Sequence, residues 1–181
     1  MDEIVKAALK KWPTVPHCYG WLALDARGQW FMRDERIQRA GPFPQVKGSV
    51  IRHDKLLEFI QRNYECDASG CWFFQNGPQR VYVELEAAPL VCRVSWPGDT
   101  LQVQAHTGED ATVRAAWLDE HGRLFLHTAR ALGIVHSQDM LDASRAIEQG
   151  LWSPQSLPFD AMPARFGYVL KPEPAGTVQQ H

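Results

Sequence analysis

The 181-residue sequence contains no apolar run that approaches the roughly 18–20 residues needed to span a membrane. Its formal net charge is only −2, which gives no general attraction to nucleic acid or to anionic lipid. It begins Met1-Asp2-Glu3-Ile4, without the basic and apolar segments of a secretory signal. These absences favour a cytoplasmic protein that has no membrane partner.

Motifs that mark common enzyme classes are also missing. There is no Gly-x-Ser-x-Gly elbow, no phosphate-cradling glycine loop and no His-Glu-x-x-His helix. The cysteines do not form a zinc motif, because His17-Cys18 and the lone Cys92 supply no second ligand pair at ordered spacing. We therefore predict no metal and no cofactor, and the balance favours a protein without enzymatic activity.

What the sequence does contain is one turn motif, Asp-x-x-Gly, which begins at Asp25, Asp67 and Asp119 and precedes a bulky apolar run each time. Aspartate at the first position accepts a hydrogen bond from a backbone amide of the turn, and glycine at the fourth adopts the positive φ that closes a hairpin. The motif predicts three β-hairpins and explains its carboxylates without catalysis. Cys66 and Cys71 flank the second turn, where they could form a redox pair or stay as two free thiols.

Apolar periodicity predicts amphipathic helices over residues 2–12, 52–65 and 138–149, the last with Ser137 as its N-cap and Gly150 at its end. Strands are predicted over 19–24, 29–33, 79–86, 90–96, 101–105, 112–118, 123–128 and 164–170. Residues 34–49 are predicted to form a loop.

These elements predict an α+β fold of antiparallel β-hairpins and a meander, with helices packed on one side. The turn at Trp96-Pro97 suggests an N-terminal lobe over 1–96, a C-terminal lobe over 97–170 and a disordered tail over 171–181. Each lobe reads as a hairpin, an Ile-x-His triplet and a helix, the triplets beginning at Ile51 and Ile134. This order indicates either two related α+β lobes or two unrelated occurrences of a hairpin followed by a helix, which is a common pattern.

Two histidines and one cysteine are the candidates for catalysis. His53 and His136 directly precede the two helices, where each could act as a general base or simply bond to nearby backbone amides. Cys18 could become a nucleophile if a histidine reached it. Nothing in the spacing requires either arrangement, so no catalytic residue is predicted, and an enzyme that uses Cys18 and His53 is an alternative hypothesis.

Bulky residues follow one another after each turn, so the strands carry apolar groups on both faces. One face can pack on the helices; the other needs a second layer, a ligand or another subunit. We predict Trp21, Trp30, Trp72 and Arg52 as ligand contacts, with a small molecule, a protein or a second copy in a homodimer as the partner.

Basic residues gather between positions 27 and 62 and offer a further alternative. Nucleic-acid binding through this segment would require Arg33, Arg36, Arg39 and Lys47 to share one exposed face. Because charge runs usually form solvated faces, we do not expect nucleic acid as the partner.

Two stretches resemble uncharacterised proteobacterial families of unknown function. One includes Ile51-Arg52-His53, the turn from Asp67 to Trp72, and Val83-Glu84-Leu85-Glu86-Ala87-Ala88-Pro89. The other runs from Trp12 to Asp25. The resemblance implies a two-lobed α+β fold and a binding or regulatory role, and it carries over no catalytic residue.

Overall fold

The computed structural model describes residues 1–176; residues 177–181, the end of the predicted tail, lie outside the described part. The chain forms two compact units: Met1–Asp25, Gln29–Glu86 and the chain from Val169 make the first, and Ala26–Gly28 with Ala87–Tyr168 make the second. Each unit contains one six-stranded mixed sheet together with helices, which confirms the α+β class. Along residues 1–176, no helix is both long and apolar enough to cross a membrane.

The helices and strands of the first unit are α1 Glu3–Lys11, β1 Cys18–Leu24, β2 Trp30–Met32, α2 Glu35–Ala40, β3 Ser49–Val50, α3 Asp54–Arg62, β4 Tyr64–Cys66, β5 Trp72–Asn76 and β6 Gln79–Leu85. Its sheet has the order β3-β2-β1-β6-β5-β4. The hairpin neighbours are antiparallel, as predicted, whereas β1 and β6 pair in parallel at the centre. The long connection that this parallel pair needs runs through β2, α2, β3, α3, β4 and β5.

The second unit contains β7 Leu90–Ser95, β8 Gln102–Ala105, β9 Val113–Leu118, β10 Leu124–Thr128, β11 Leu132–Val135, α4 Met140–Glu148, β12 Gln155–Ser156 and α5 Met162–Phe166. Short 3-10 turns cover Pro97–Asp99, Ser137–Asp139 and Phe159–Ala161. The sheet order is β12-β9-β10-β11-β7-β8, and β7 pairs in parallel with β11. The N-terminal lobe predicted from the sequence included β7, which pairs within this second sheet instead.

The two sheets share a five-strand arrangement, in which a hairpin is followed by a three-strand meander. The last strand of the meander, β6 or β11, pairs in parallel with the first strand of the hairpin, β1 or β7. This order matches the Asp67 turn with the Asp119 turn. The alignment of the Ile51 triplet with the Ile134 triplet is therefore wrong, because α3 precedes its meander whereas α4 follows one.

The three Asp-x-x-Gly turns form as the sequence predicted. Gly28, Gly70 and Gly122 have φ values of 80°, 83° and 74°. Each aspartate accepts hydrogen bonds from amides of its own turn: Asp25 from Gln29, Asp67 from Ser69 and Cys71, and Asp119 from His121 and Arg123. The carboxylates are thus structural.

Two segments differ from their predicted structure. Residues 34–49 are not a continuous loop, because the Asp34 side chain accepts the Ile37 amide (2.9 Å) and begins α2. Residues 164–170 do not form a strand, because Pro163 suits the first turn of α5 and Gly167, at φ 69°, ends it. In the predicted tail, Pro172 is buried within the described residues.

Candidate functional site

An apolar cavity of about 290 Å³ lies between α3 and the sheet of the first unit. Side chains from five strands or their ends and from the helix surround it. They are Cys18, Trp21, Leu22, Met32, Ile51, Leu56, Ile60, Phe74, Asn76 and Val81. An engineered apolar cavity of about 150 Å³ is enough to bind benzene, so this cavity has room for a larger apolar molecule.

The helical wall of the cavity follows from the sequence of α3. Leu56 and Ile60 are four residues apart and therefore lie on the same face of the helix. The helix begins where the His53 ring accepts the Leu56 amide (3.3 Å). At its other end the Asn63 side chain donates to the carbonyl oxygen of Phe59 (2.9 Å). These two caps fix the length of the wall.

The strand wall is shaped by an irregularity in β1. Cys18 pairs with Val81 and Leu22 pairs with Val83, so four residues of β1 span the distance covered by two in β6. Gly20, at φ 81°, lies within this bulge. Bulges redirect side chains, and here the sequence neighbours Trp21 and Leu22 both line the cavity.

The rim of the cavity is apolar and open to solvent. Trp21 is 39% exposed and Met32 is 49% exposed. Large apolar side chains that stay exposed beside a cavity are typical of surfaces that bind a ligand or a partner. The rim therefore offers apolar surface that a ligand or a partner would cover.

The structure places the predicted ligand contacts in different surroundings. Trp21 lines the cavity, whereas Trp30 and Trp72 are buried and both contact Tyr64, with ring centroids 5.2 Å and 4.8 Å from it. Arg52 is exposed and is not among the lining residues. The predicted set missed the α3 residues, although their apolar stripe was visible in the sequence.

The histidines that precede helices serve as caps. The His53 ring accepts from Leu56, and in the second unit the His136 ring accepts the Gln138 amide (3.1 Å). The N-cap predicted at Ser137 is therefore wrong, because the neighbouring imidazole takes that role. Gly150 ends α4 at φ 74°, as predicted.

The thiol of Cys18 faces an apolar environment. Burial raises its pKa, the opposite of what a nucleophilic cysteine needs. His53 is not among the side chains that line the cavity with Cys18. Cys66 and Cys71 are free thiols, and burial raises the pKa of both. Within residues 1–176, no three histidine, cysteine or acidic side chains group as metal ligands.

The basic segment does not form the shared exposed face that nucleic-acid binding would require. Arg33 is 2% exposed. Lys47 pairs with Asp25 (3.1 Å) and Glu86 (3.4 Å), and Arg39 pairs with a glutamate on its own helix. Three of the four residues that this face would need, Arg33, Arg39 and Lys47, are thus engaged in ion pairs.

Comparison with known proteins places the chain in a family. The model of the DUF2944 family, described as "Protein of unknown function (DUF2946)", matches residues 1–173. The chain belongs to DUF2944. This match confirms the resemblance, inferred from the sequence, to a family without assigned activity. No curated protein matches the chain.

Two crystal structures of proteins described as members of the DUF1285 family resemble this DUF2944 chain. The protein from Shewanella baltica is 15% identical, with a TM-score of 0.46, over 69% of this chain and 91% of its own. The protein from Silicibacter pomeroyi is 13% identical, with a TM-score of 0.48, over 82% of this chain and 84% of its own.

Proposed function

We propose that the first unit is a non-enzymatic module that binds a small apolar molecule between α3 and the sheet. The observation that carries the proposal is an open apolar cavity of about 290 Å³ whose rim residues, Trp21 and Met32, are left exposed. Asn76 is the one amide among its lining side chains, so it is the group available to orient a polar atom of the ligand.

The size and lining of the cavity suit an apolar ligand of about two fused rings. Aromatic groups of this kind bury about 150 Å² or more, worth about 4 kcal/mol at 25 cal/mol per Å². That free energy corresponds to a dissociation constant on the order of 1 mM, and an oriented polar contact would tighten it. Indole has suitable dimensions and is a convenient probe.

A substitution that fills the cavity tests the proposal directly. Leu56→Trp would place a large ring in the cavity, whereas Leu57→Trp changes a half-buried neighbour that does not line it. We expect ligand-observed NMR to detect indole binding to the natural chain and to Leu57→Trp, with at least a tenfold loss in Leu56→Trp. Equal binding to both variants, or none to the natural chain, would contradict the proposal.

A protein partner is the second candidate, because the exposed rim could also accept an apolar side chain of another molecule. The homodimer predicted from the sequence stays a prediction. Sedimentation equilibrium of the natural chain and of a Trp21→Ser, Met32→Ser variant tests it, since a dimer that uses this rim should dissociate in the variant. The cytoplasmic location also stays a prediction.

A further inference from the structure

A second cavity, of about 220 Å³, opens on the opposite face of the same sheet. Leu22 and Met32 face the apolar cavity, and the residues that follow them in sequence lie on the other face, as strand alternation requires. This second cavity has a mixed lining that includes four charged side chains. Its lining comprises Tyr19, Gly20, Arg33, Gln38, Gly41, Pro42, Glu84, Lys171, Pro172, Glu173 and Pro174.

Glu84 is the unusual group of this cavity. It lies in the central strand β6, opposite Ala23 of β1, and is only 5% exposed. Its ion-pair partner within the described residues is Arg33, whose Nη1 atom lies 3.6 Å from Oε2, beyond hydrogen-bond distance. The charges of Lys171 and Glu173 also act on its carboxylate. A buried carboxylate normally accepts several hydrogen bonds, so Glu84 presents unused acceptor capacity to the cavity.

Arg33 is held in place by other groups and cannot turn to satisfy Glu84. Its Nε atom donates to the carbonyl oxygen of Val46 (3.2 Å), and Nη2 donates to that of Gly41 (2.6 Å). Arg33 therefore anchors the 41–46 segment and supplies Glu84 with charge but not with a short hydrogen bond. A donor from a bound molecule would complete the coordination of the carboxylate.

The cavity is balanced in charge. Arg33 and Lys171 carry two positive charges, and Glu84 and Glu173 carry two negative charges. Arg33 is buried, whereas Lys171 is exposed at the mouth. A ligand with a net charge would disturb this balance, but a molecule with one charge of each sign would preserve it.

The chain that bears Lys171 is fixed to the sheet just before it. Val169 donates its amide to the carbonyl oxygen of Gly70 (3.0 Å), and the Leu170 carbonyl oxygen accepts the Leu85 amide (2.8 Å). Leu85 follows Glu84 directly in β6, so the same strand positions both ends of the cavity. Prolines at 172 and 174 then limit the backbone conformations of this wall.

We propose that this cavity binds a small zwitterion of the amino-acid class. Its ammonium group donates to Glu84 at the base, and its carboxylate pairs with Lys171 at the mouth. Burial raises the pKa of Glu84, and a bound ammonium group would oppose that effect by favouring the charged form. The site is independent of the apolar cavity, so either proposal can fail without the other.

A series of ω-amino acids provides the test, because each member adds one methylene between the two charges. Glycine, β-alanine, 4-aminobutyrate and 5-aminovalerate are titrated into the full chain by ligand-observed NMR, with propylamine and butyrate as single-charge controls. We expect one member of the series to bind at least ten times more tightly than either control. No binding by any member, or an amine that binds as tightly as the best zwitterion, would overturn the proposal.

Three variants assign the two ends of the ligand. Lys171→Met changes an exposed side chain and should weaken the best zwitterion at least fivefold while leaving indole binding unchanged. Glu84→Gln should abolish zwitterion binding, and Glu86→Gln, two residues along and outside the cavity, should not. If Glu84→Gln does not fold, Lys171→Met alone decides, and unchanged affinity in that variant would refute the assignment.

Discussion

Gly133 occupies a position in β11 where the structure leaves no space for a methyl group. β11 runs parallel to β7, and Gly133 pairs with Leu90. A Cβ atom at this position would overlap Sγ of Cys92 and would lie 3.3 Å from Cβ of Leu90. Both neighbours are almost completely buried and belong to the central parallel pair, so neither has free space to move into.

The expected cost of Gly133→Ala is that of overpacking a rigid core, about 1–3 kcal/mol in the free energy of unfolding. Cys92→Ala alone removes a buried group of about one methylene in size and should cost roughly 1 kcal/mol. In the double variant the new methyl group occupies the space that the sulfur atom vacated. The two substitutions should therefore compensate each other by about 1–2 kcal/mol.

Urea denaturation of the four proteins, followed by far-UV circular dichroism, measures this coupling. Gly133→Ala combined with Cys66→Ala serves as the control, because Cys66 is an exposed residue of the other unit and its effect should add independently. If the effects of Gly133→Ala and Cys92→Ala on the free energy of unfolding add within about 0.5 kcal/mol, the assigned packing between β7 and β11 is incorrect.

Three further predictions concern single groups. Burial lowers the pKa of His106 to about 3 from 6.5, so the unfolded state binds more protons between these pH values. The free energy of unfolding should therefore fall by roughly 2 kcal/mol as the pH is lowered from 7 to 5. In urea titrations, His106→Asn should reduce this dependence of stability on pH. Burial works to raise the pKa of Asp119, but hydrogen bonds from Arg123 outweigh it and keep that pKa below its ordinary value. Asp119→Ala should therefore lower the free energy of unfolding by about 1–3 kcal/mol. An unchanged melting temperature would contradict the assigned role of Asp119 in stabilising its turn. An aromatic disulfide reagent should label exposed Cys66 in the native protein but not Cys92, whose pKa is raised to about 12 by burial. Equal labelling rates would contradict the burial of Cys92 in the core of the second unit.

The sequence predicts the local structure where one side chain determines it. Each Asp-x-x-Gly quartet supplies its own acceptor and its own positive φ, so no distant contact is needed to form the turn. The apolar stripe of α3 is equally local. Helix α2 was not predicted, because it is short, contains no buried residue and is indicated only by the cap at Asp34.

Long-range pairing explains what the sequence could not predict. The alternation around Glu84 is typical of a strand with one solvated face, but residues 82–85 are all buried. Tyr19 stacks on Tyr82, with ring centroids 4.7 Å apart, and Arg33 lies beside Glu84. These contacts depend on the parallel pairing of β1 with β6, which no local pattern encodes. For the same reason, the burial of Trp30 and Trp72 could not be predicted from the sequence.

The five-strand arrangement common to both sheets has a consequence for how binding could be acquired. In the second unit, residues 106–112 connect the hairpin to the meander; in the first unit, residues 33–63 fill the same place and include α2, β3 and α3. Closing a longer loop costs little additional entropy, so the strand scaffold tolerates such an insertion. Ile51, Leu56 and Ile60 of the apolar cavity, and Arg33 of the polar one, all belong to the inserted segment. Inserting residues 33–63 between β8 and β9 would therefore test whether one contiguous segment is enough to form a pocket on this strand scaffold.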